Sequence, residues 1–237
     1  MNRALILICL SLAAAIPSVG LQALGEVGIF TLDSAMTQTH WCLIRGSAIS
    51  TYMIMVPSSS SNSNVAGYLS GVMLSFKVNP RLALGGSILI GANNLGGDLN
   101  AKVLCWQDGP HHLSVKPSLI ASQGKVEQGS YATDHCQVLG FSLPVLYSLD
   151  TWRNLSLNAS AGVNCEWTDF WRTDTDSGET VLEYELSPLL HGQVNINVEA
   201  TYGVFYLIPE IGICVADGKD QGIKIFGTYG FAIGMKW

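Results

Sequence analysis

Between Gln193 and Tyr202 the chain alternates without a slip: Val194, Ile196, Val198, Ala200 and Tyr202 take one parity, and Asn195, Asn197, Glu199 and Thr201 the other. Side chains on a strand point to opposite faces in turn, so this is one apolar face backed by a polar one. The same texture runs through Leu113–Ser122, Gln137–Tyr147, Asn154–Trp167 and the closing segment Ile223–Trp237, and more weakly through Cys42–Val56, Ala66–Val78, Arg81–Gly91, Leu99–Gln107 and Val204–Ala216. Each predicts a strand. After the N-terminal segment, no stretch sustains the i, i+3, i+4 spacing of an amphipathic helix.

The polar faces are unusual. They are built from Gly, Ala, Ser and Asn rather than Lys and Glu, as in Ser156, Asn158, Ser160, Gly162 and Asn164. Connections alternate in length. Asn79-Pro80, Gln107–Pro110 and Asp150–Arg153 are short; Pro57–Asn64, Gly91–Asn100, Gln123–Asp134 and Thr168–Leu189 are longer and polar, the last being the largest. Short turns on one side and long loops on the other mark a closed barrel crossing a membrane. With roughly 20 residues per strand and its share of loop, the chain holds about ten strands, with eight to twelve as the range and an even number favoured. The expected fold is therefore all-β: a transmembrane antiparallel up-and-down barrel.

Composition sharpens the picture. Of 237 residues, 48% are hydrophobic and only 13% charged, about half the charge of a typical soluble domain. The N-terminus, MNRALILICLSLAAAIPSVGLQALG, has a basic residue at Arg3, a short apolar run and small residues before Gly25. That is the anatomy of a cleaved secretory signal. Residues 1–25 are expected to be the signal peptide and 26–237 the barrel. The net charge of −6 argues against nucleic acid as a partner. A secreted β-sandwich, with its apolar faces turned inward on each other, is the competing fold.

The last strand is the most specific signal. Tyr229, Phe231, Ile233, Met235 and Trp237 share one parity, and the chain stops on the tryptophan. With the signal segment and the alternating strands, this resembles the small bacterial outer-membrane β-barrel proteins. The resemblance implies a place in the outer membrane of a Gram-negative cell, contact with its lipid and lipopolysaccharide, and a terminal row read by the barrel-assembly machinery. The family more often ends in phenylalanine, so Trp237 departs mildly from it.

The opposite parity carries the candidate chemistry. Arg45, Lys77, Lys102, Lys116, Glu166, Glu199, Glu210 and Lys224 fall on the inward series. Both signs occur, and a barrel this narrow is either filled by side chains or holds a thin channel. The leading reading is a structural or narrow porin-like barrel, passing at most a small polar solute and having no enzymatic activity. One alternative is an adhesin or receptor that binds through its outer loops, where Trp167, Phe170 and Trp171 lie beside acidic residues. The other is a lipid-modifying enzyme, with His111, His112, His135 and His191 as candidates and Asp134 and Ser130 near His135. Neighbours on a strand point apart, so Asp134 cannot orient His135 directly. Cysteine and histidine spacing offers no zinc site, and no cofactor is expected. A Cys136–Cys165 bridge would need a β-bulge, because the two residues fall on opposite parities.

Overall fold

The computed structural model describes residues 47–56, 67–90, 94–128, 132–174, 176–217 and 223–237. The strands are β1 (Ala48–Val56), β2 (Gly67–Asn79), β3 (Leu82–Ile90), β4 (Asn94–Asp108), β5 (His111–Val115), β6 (Ser118–Gln128), β7 (Ala132–Trp152), β8 (Leu155–Asp174), β9 (Thr180–Tyr202), β10 (Phe205–Asp217) and β11 (Ile223–Lys236). Every pairing is antiparallel, and β1 pairs with β11, so the sheet closes on itself.

β5 and β6 are two halves of one wall strand. Both pair with β4 and with β7 in continuous register, giving a barrel of ten strands. The break falls at Lys116-Pro117, because Pro117 has no N–H to give the ladder. Its neighbours hold the seam: Lys116 N–H donates to the Pro144 carbonyl at 3.0 Å, and Ala101 N–H to the Pro117 carbonyl at 3.1 Å.

One rim carries the tight turns at 80–81, 109–110, 153–154 and 203–204, with Ser47 and Trp237 exchanging backbone bonds of 3.1 and 2.9 Å beside them. Gly109 (φ 53°) and Gly203 (φ 61°) take the left-handed backbone that two of these turns require. At the other rim the wall is uneven. β7, β8 and β9 are 21, 20 and 23 residues long, where a tilted strand crosses a bilayer in about 9–11.

The wall height corrects three loop expectations. Most of Thr168–Leu189 is strand, with β8 running to Asp174 and β9 starting at Thr180; Gly91–Asn100 holds the start of β4, and Gln123–Asp134 the end of β6 and start of β7. Above an apolar band both sheet faces meet water, so the hydrophobic alternation fades while the hydrogen-bond ladder continues.

Burial is inverted relative to a water-soluble protein. Leu99, Leu119, Val163, Ile196, Ile211 and Ile233 are exposed on the outer face, while Ser142, Asn164, Lys116 and Glu166 are buried inside. Exposed apolar patches of this extent mark a membrane or partner surface, and a closed barrel satisfies its backbone in lipid. A β-sandwich would instead bury its apolar faces.

Candidate functional site in the lumen

The inward parity brings Lys102, Lys116, Glu166, Glu199 and Glu210 into the lumen, all buried. Lys77 keeps the inward parity, opposite buried Ala83, but it is exposed at the short-turn rim, just before the β2–β3 register shifts between Lys77 and Asn79. Arg45 lies outside the described residues. Lys224 stands opposite Ala216 in the β10–β11 register, and its side chain is outside the described set.

Lys102 and Lys116 stand side by side on the inner face of neighbouring strands, since Val103 pairs with Val115 and Asn100 with Ser118 on either side. Like charges so placed must be answered by opposite charge. Glu210, across the lumen in β10, lies within electrostatic reach of Lys116. Its Oε2 also accepts from Asn197 Nδ2 at 3.0 Å, and Asn197 Oδ1 accepts from Asn158 Nδ2 at 2.7 Å. One chain of bonds thus ties β8, β9 and β10 together inside the barrel.

Glu199 forms an ion pair with Lys236 and accepts from the Thr201 hydroxyl at 3.4 Å. The Lys236 ammonium lies 5.2 Å from the centre of the Tyr206 ring, close enough for cation–π attraction. Tyr206 in turn hydrogen-bonds Ser50. Its ring lies over Gly234, where an added Cβ would collide with the Tyr206 hydroxyl and the Ile49 carbonyl. Tyr206 therefore reaches from β10 across β11 to β1, over the seam that closes the barrel.

Glu166 folds across Gly140 of β7, whose added Cβ would sit 2.8 Å from Glu166 Cγ. It lies within electrostatic reach of Cys214, a buried free thiol. Two lumenal acids escape the sequence reading. Asp98 accepts from Ser87 and Asn100, and Asp150 faces His112 and Ser156. Both fall in stretches read as loop or turn, although the parity running in from the neighbouring strand points them inward.

No protein-family model matches the sequence, and no curated protein matches it. Solved structures do. The outer membrane protease OmpT from Escherichia coli superposes with a TM-score of 0.52 at 7% identity, over 80% of this chain and 91% of that one. The translocator domain of the autotransporter NalP from Neisseria meningitidis gives 0.51 at 10% identity, over 86% and 92%. Identities this low speak to fold alone.

This is the fold of a bacterial outer-membrane β-barrel.

On the outer face of this barrel, Tyr229, Phe231, Ile233 and Trp237 are exposed in one row, with Met235 half-buried among them. Trp106, Trp152, Tyr202, Phe205 and Trp237 ring the short-turn rim, the position of an interfacial aromatic girdle. His111 belongs to that girdle: its Nδ1 is 2.7 Å from the Tyr147 hydroxyl, beside Trp106.

His112 points into the lumen, with Nε2 3.3 Å from Asp150 Oδ2. Ser156 donates to Asp150 at 2.9 Å. The hydroxyl thus serves the carboxylate and not the imidazole, which is the wrong order for activating a nucleophile. At the tall rim His135 stacks on Trp171, centroids 5.1 Å apart, and bonds Thr173 Oγ1 at 3.1 Å. Asp134 stands opposite Arg172 in the register, and His191 opposite Asn164; their side chains, like Ser130, lie outside the described set.

Cys165 is a free thiol opposite Phe141, while Cys136 stands opposite Phe170, so the bridge weighed from sequence is absent. Cys105 is exposed where the β4–β5 register shifts between Leu104 and Trp106.

Proposed function

We propose that this protein is an integral outer-membrane barrel with a structural role, its lumen closed to solutes by its own side chains. The observation that carries this reading is the state of the lumenal charges. Lys102 (2%), Lys116 (0%), Glu166 (0%), Glu199 (4%) and Glu210 (6%) are almost without solvent contact. An open polar pore would leave such groups hydrated, because burying a charge is costly unless it is answered. The order of His112, Asp150 and Ser156 favours a non-enzymatic role.

On this reading residues 1–25 direct export, and the row from Tyr229 to Trp237 is the segment offered to the barrel-assembly machinery. The outer face meets lipid and, at the tall rim, lipopolysaccharide. A second reading is favoured by the height of β7, β8 and β9: a surface-contact protein that displays this wall to a partner.

The test is direct. Purified from outer membranes, the chain should run as a compact band that shifts on boiling, and it should give no porin-sized conductance steps in planar bilayers. Well-resolved steps with passage of small sugars would establish the narrow-porin alternative instead. Shortening the β8–β9 hairpin above the membrane should leave the gel shift intact, and would abolish binding only if the wall is a contact surface.

A further inference from the structure

On one side the tall wall has a bare edge. β10 accompanies β9 only as far as Ala216 opposite His191, and it ends at Asp217. β9 extends beyond that level, from Leu190 to Thr180, and among the described residues it is paired there with β8 alone. Alternate residues of such a strand turn their N–H and C=O groups away from the one neighbour they have. A row of unpaired backbone groups is a template for another strand.

The edge is not uniform. The β8–β9 register shifts between Glu166 and Thr168, which leaves Ser187 and Pro188 of β9 without a β8 partner. It shifts again between Arg172 and Thr173, which leaves out Val181. Bulges, and a proline with no N–H to offer, are devices that blunt an edge. Between them Leu182–Leu186 keeps an unbroken register, from Leu182 opposite Arg172 to Leu186 opposite Thr168. That stretch is about 17 Å of regular strand at roughly 3.4 Å per residue, an ordinary length for a paired strand.

Charge decides what fits beside it. Thr180–Leu190 contains Glu183 and Glu185 and no lysine or arginine. The two glutamates share one parity, opposite Trp171 and Asp169 in the register, and Asp169 is itself exposed. An added strand would set two alternate residues of its own beside Glu183 and Glu185, where opposite charge is favourable and like charge is not. A second copy of this chain fails on two counts. Antiparallel self-pairing of LEYEL brings Glu183 against Glu185, a like-charge pair. Two barrels in one membrane also point the same way up, so their tilted edges would cross instead of lying side by side.

We propose that Leu182–Leu186 is a docking edge for an extended basic segment of a partner protein, which joins the tall wall as one more strand with lysine or arginine at alternate positions. The proposal rests on the contact-surface reading and names the chemistry of the partner.

The probe is the synthetic peptide TVKVKVT, titrated onto the full mature chain in lipid nanodiscs and followed by amide exchange. It should bind saturably and slow exchange at Leu182–Leu186. TVEVEVT should bind about tenfold more weakly, since like-charged pairs replace opposite ones. The combined variant Glu183→Lys with Glu185→Lys should reverse that order while keeping the boiling-dependent gel shift. Methylating every backbone nitrogen of TVKVKVT removes its donors but not its charge, and should abolish binding to the wild-type chain. A methylated peptide that binds as well as its parent would show charge attraction alone and overturn strand addition. Slowed exchange elsewhere on β7–β9, but not at Leu182–Leu186, would overturn the edge and keep the contact-surface reading. No binding at all would overturn the edge, while the shortened hairpin decides the wall separately. Slow exchange at Leu182–Leu186 before any peptide is added would mean an edge already covered, by a second copy in a dimer or by the chain itself in a monomer, and would also overturn the proposal.

Discussion

Gly234 shows how much one small residue decides. It stands opposite Tyr206 in the register, and the space a Cβ would need is taken by the tyrosine hydroxyl and a backbone carbonyl of β1. Only glycine lets the ring lie flat across β11 and reach Ser50. Gly234→Val is expected to destabilise the barrel by about 1–3 kcal/mol, the usual cost of overpacking, measured as a lower urea midpoint in detergent with reduced folding yield. Equal midpoints would mean that the ring swings away at no cost. The Glu199–Lys236 pair gives a second prediction at this scale. Glu199→Ala strands a partly buried ammonium, and Lys236 keeps some solvent, so the loss should be about 3 kcal/mol, the low end for breaking a buried pair. A variant with unchanged melting and unchanged conductance would show that the pair neither braces nor seals the lumen. Sequence parity places both residues of the Glu199 pair, but not the pairing itself, because the strands that bring them together are far apart in the chain.

At the scale of elements, the alternation located every wall strand but not where each ends. The pattern is written by the environment on each face. Across the apolar band one face meets hydrocarbon and the other the lumen, so parity is strict, as in Val194–Tyr202. Above it both faces are wet, and β8 and β9 continue through Asp169, Arg172 and Glu183 without an apolar parity. Pro117 is the opposite case. It splits a strand in the hydrogen-bond ladder without breaking the register. The tip of the β8–β9 hairpin depends on Asp174, whose carboxylate accepts from the Ser177 N–H at 2.8 Å, the Ser177 hydroxyl at 3.1 Å and the Asp176 N–H at 3.0 Å. These bonds, the Ser177 N–H foremost, hold its pKa below the ordinary aspartate value. A lowered folded pKa means that the turn's stabilisation is present above the ordinary aspartate range and is lost as pH falls through the lowered value. Amide exchange at Ser177 and Gly178 should therefore stay slow at neutral pH and quicken in strong acid, with no change in overall melting. Exchange that ignores pH across that window, once corrected for its intrinsic rate, would show that the turn is held by its backbone alone.

For the molecule as a whole, the deciding fact is the inversion of burial. Apolar side chains cover the outside, and the buried side chains are mostly polar, with Met73, Val138, Leu146 and Ile208 packed among them, which suits a barrel in lipid and no water-soluble sheet. Much of this was legible in the chain. Low charge, small polar faces, alternation at strand spacing and an aromatic last residue are local properties, and each follows from one residue meeting one environment. They determine strand positions, the membrane-facing parity and a closed sheet of about ten strands. What only the tertiary structure decided depends on register around a closed cylinder. Closure sets which inward residues share a level: Lys102 beside Lys116, Glu210 across from them, Tyr206 over the seam, and Ser142 beside Asn164. It also left Cys165 unbridged and brought Asp98 and Asp150 inside. A period of two assigns a face to each residue but no partner across a lumen, because partners there are chosen by how far each strand slides against the next, and that sum is known only once the last strand meets the first.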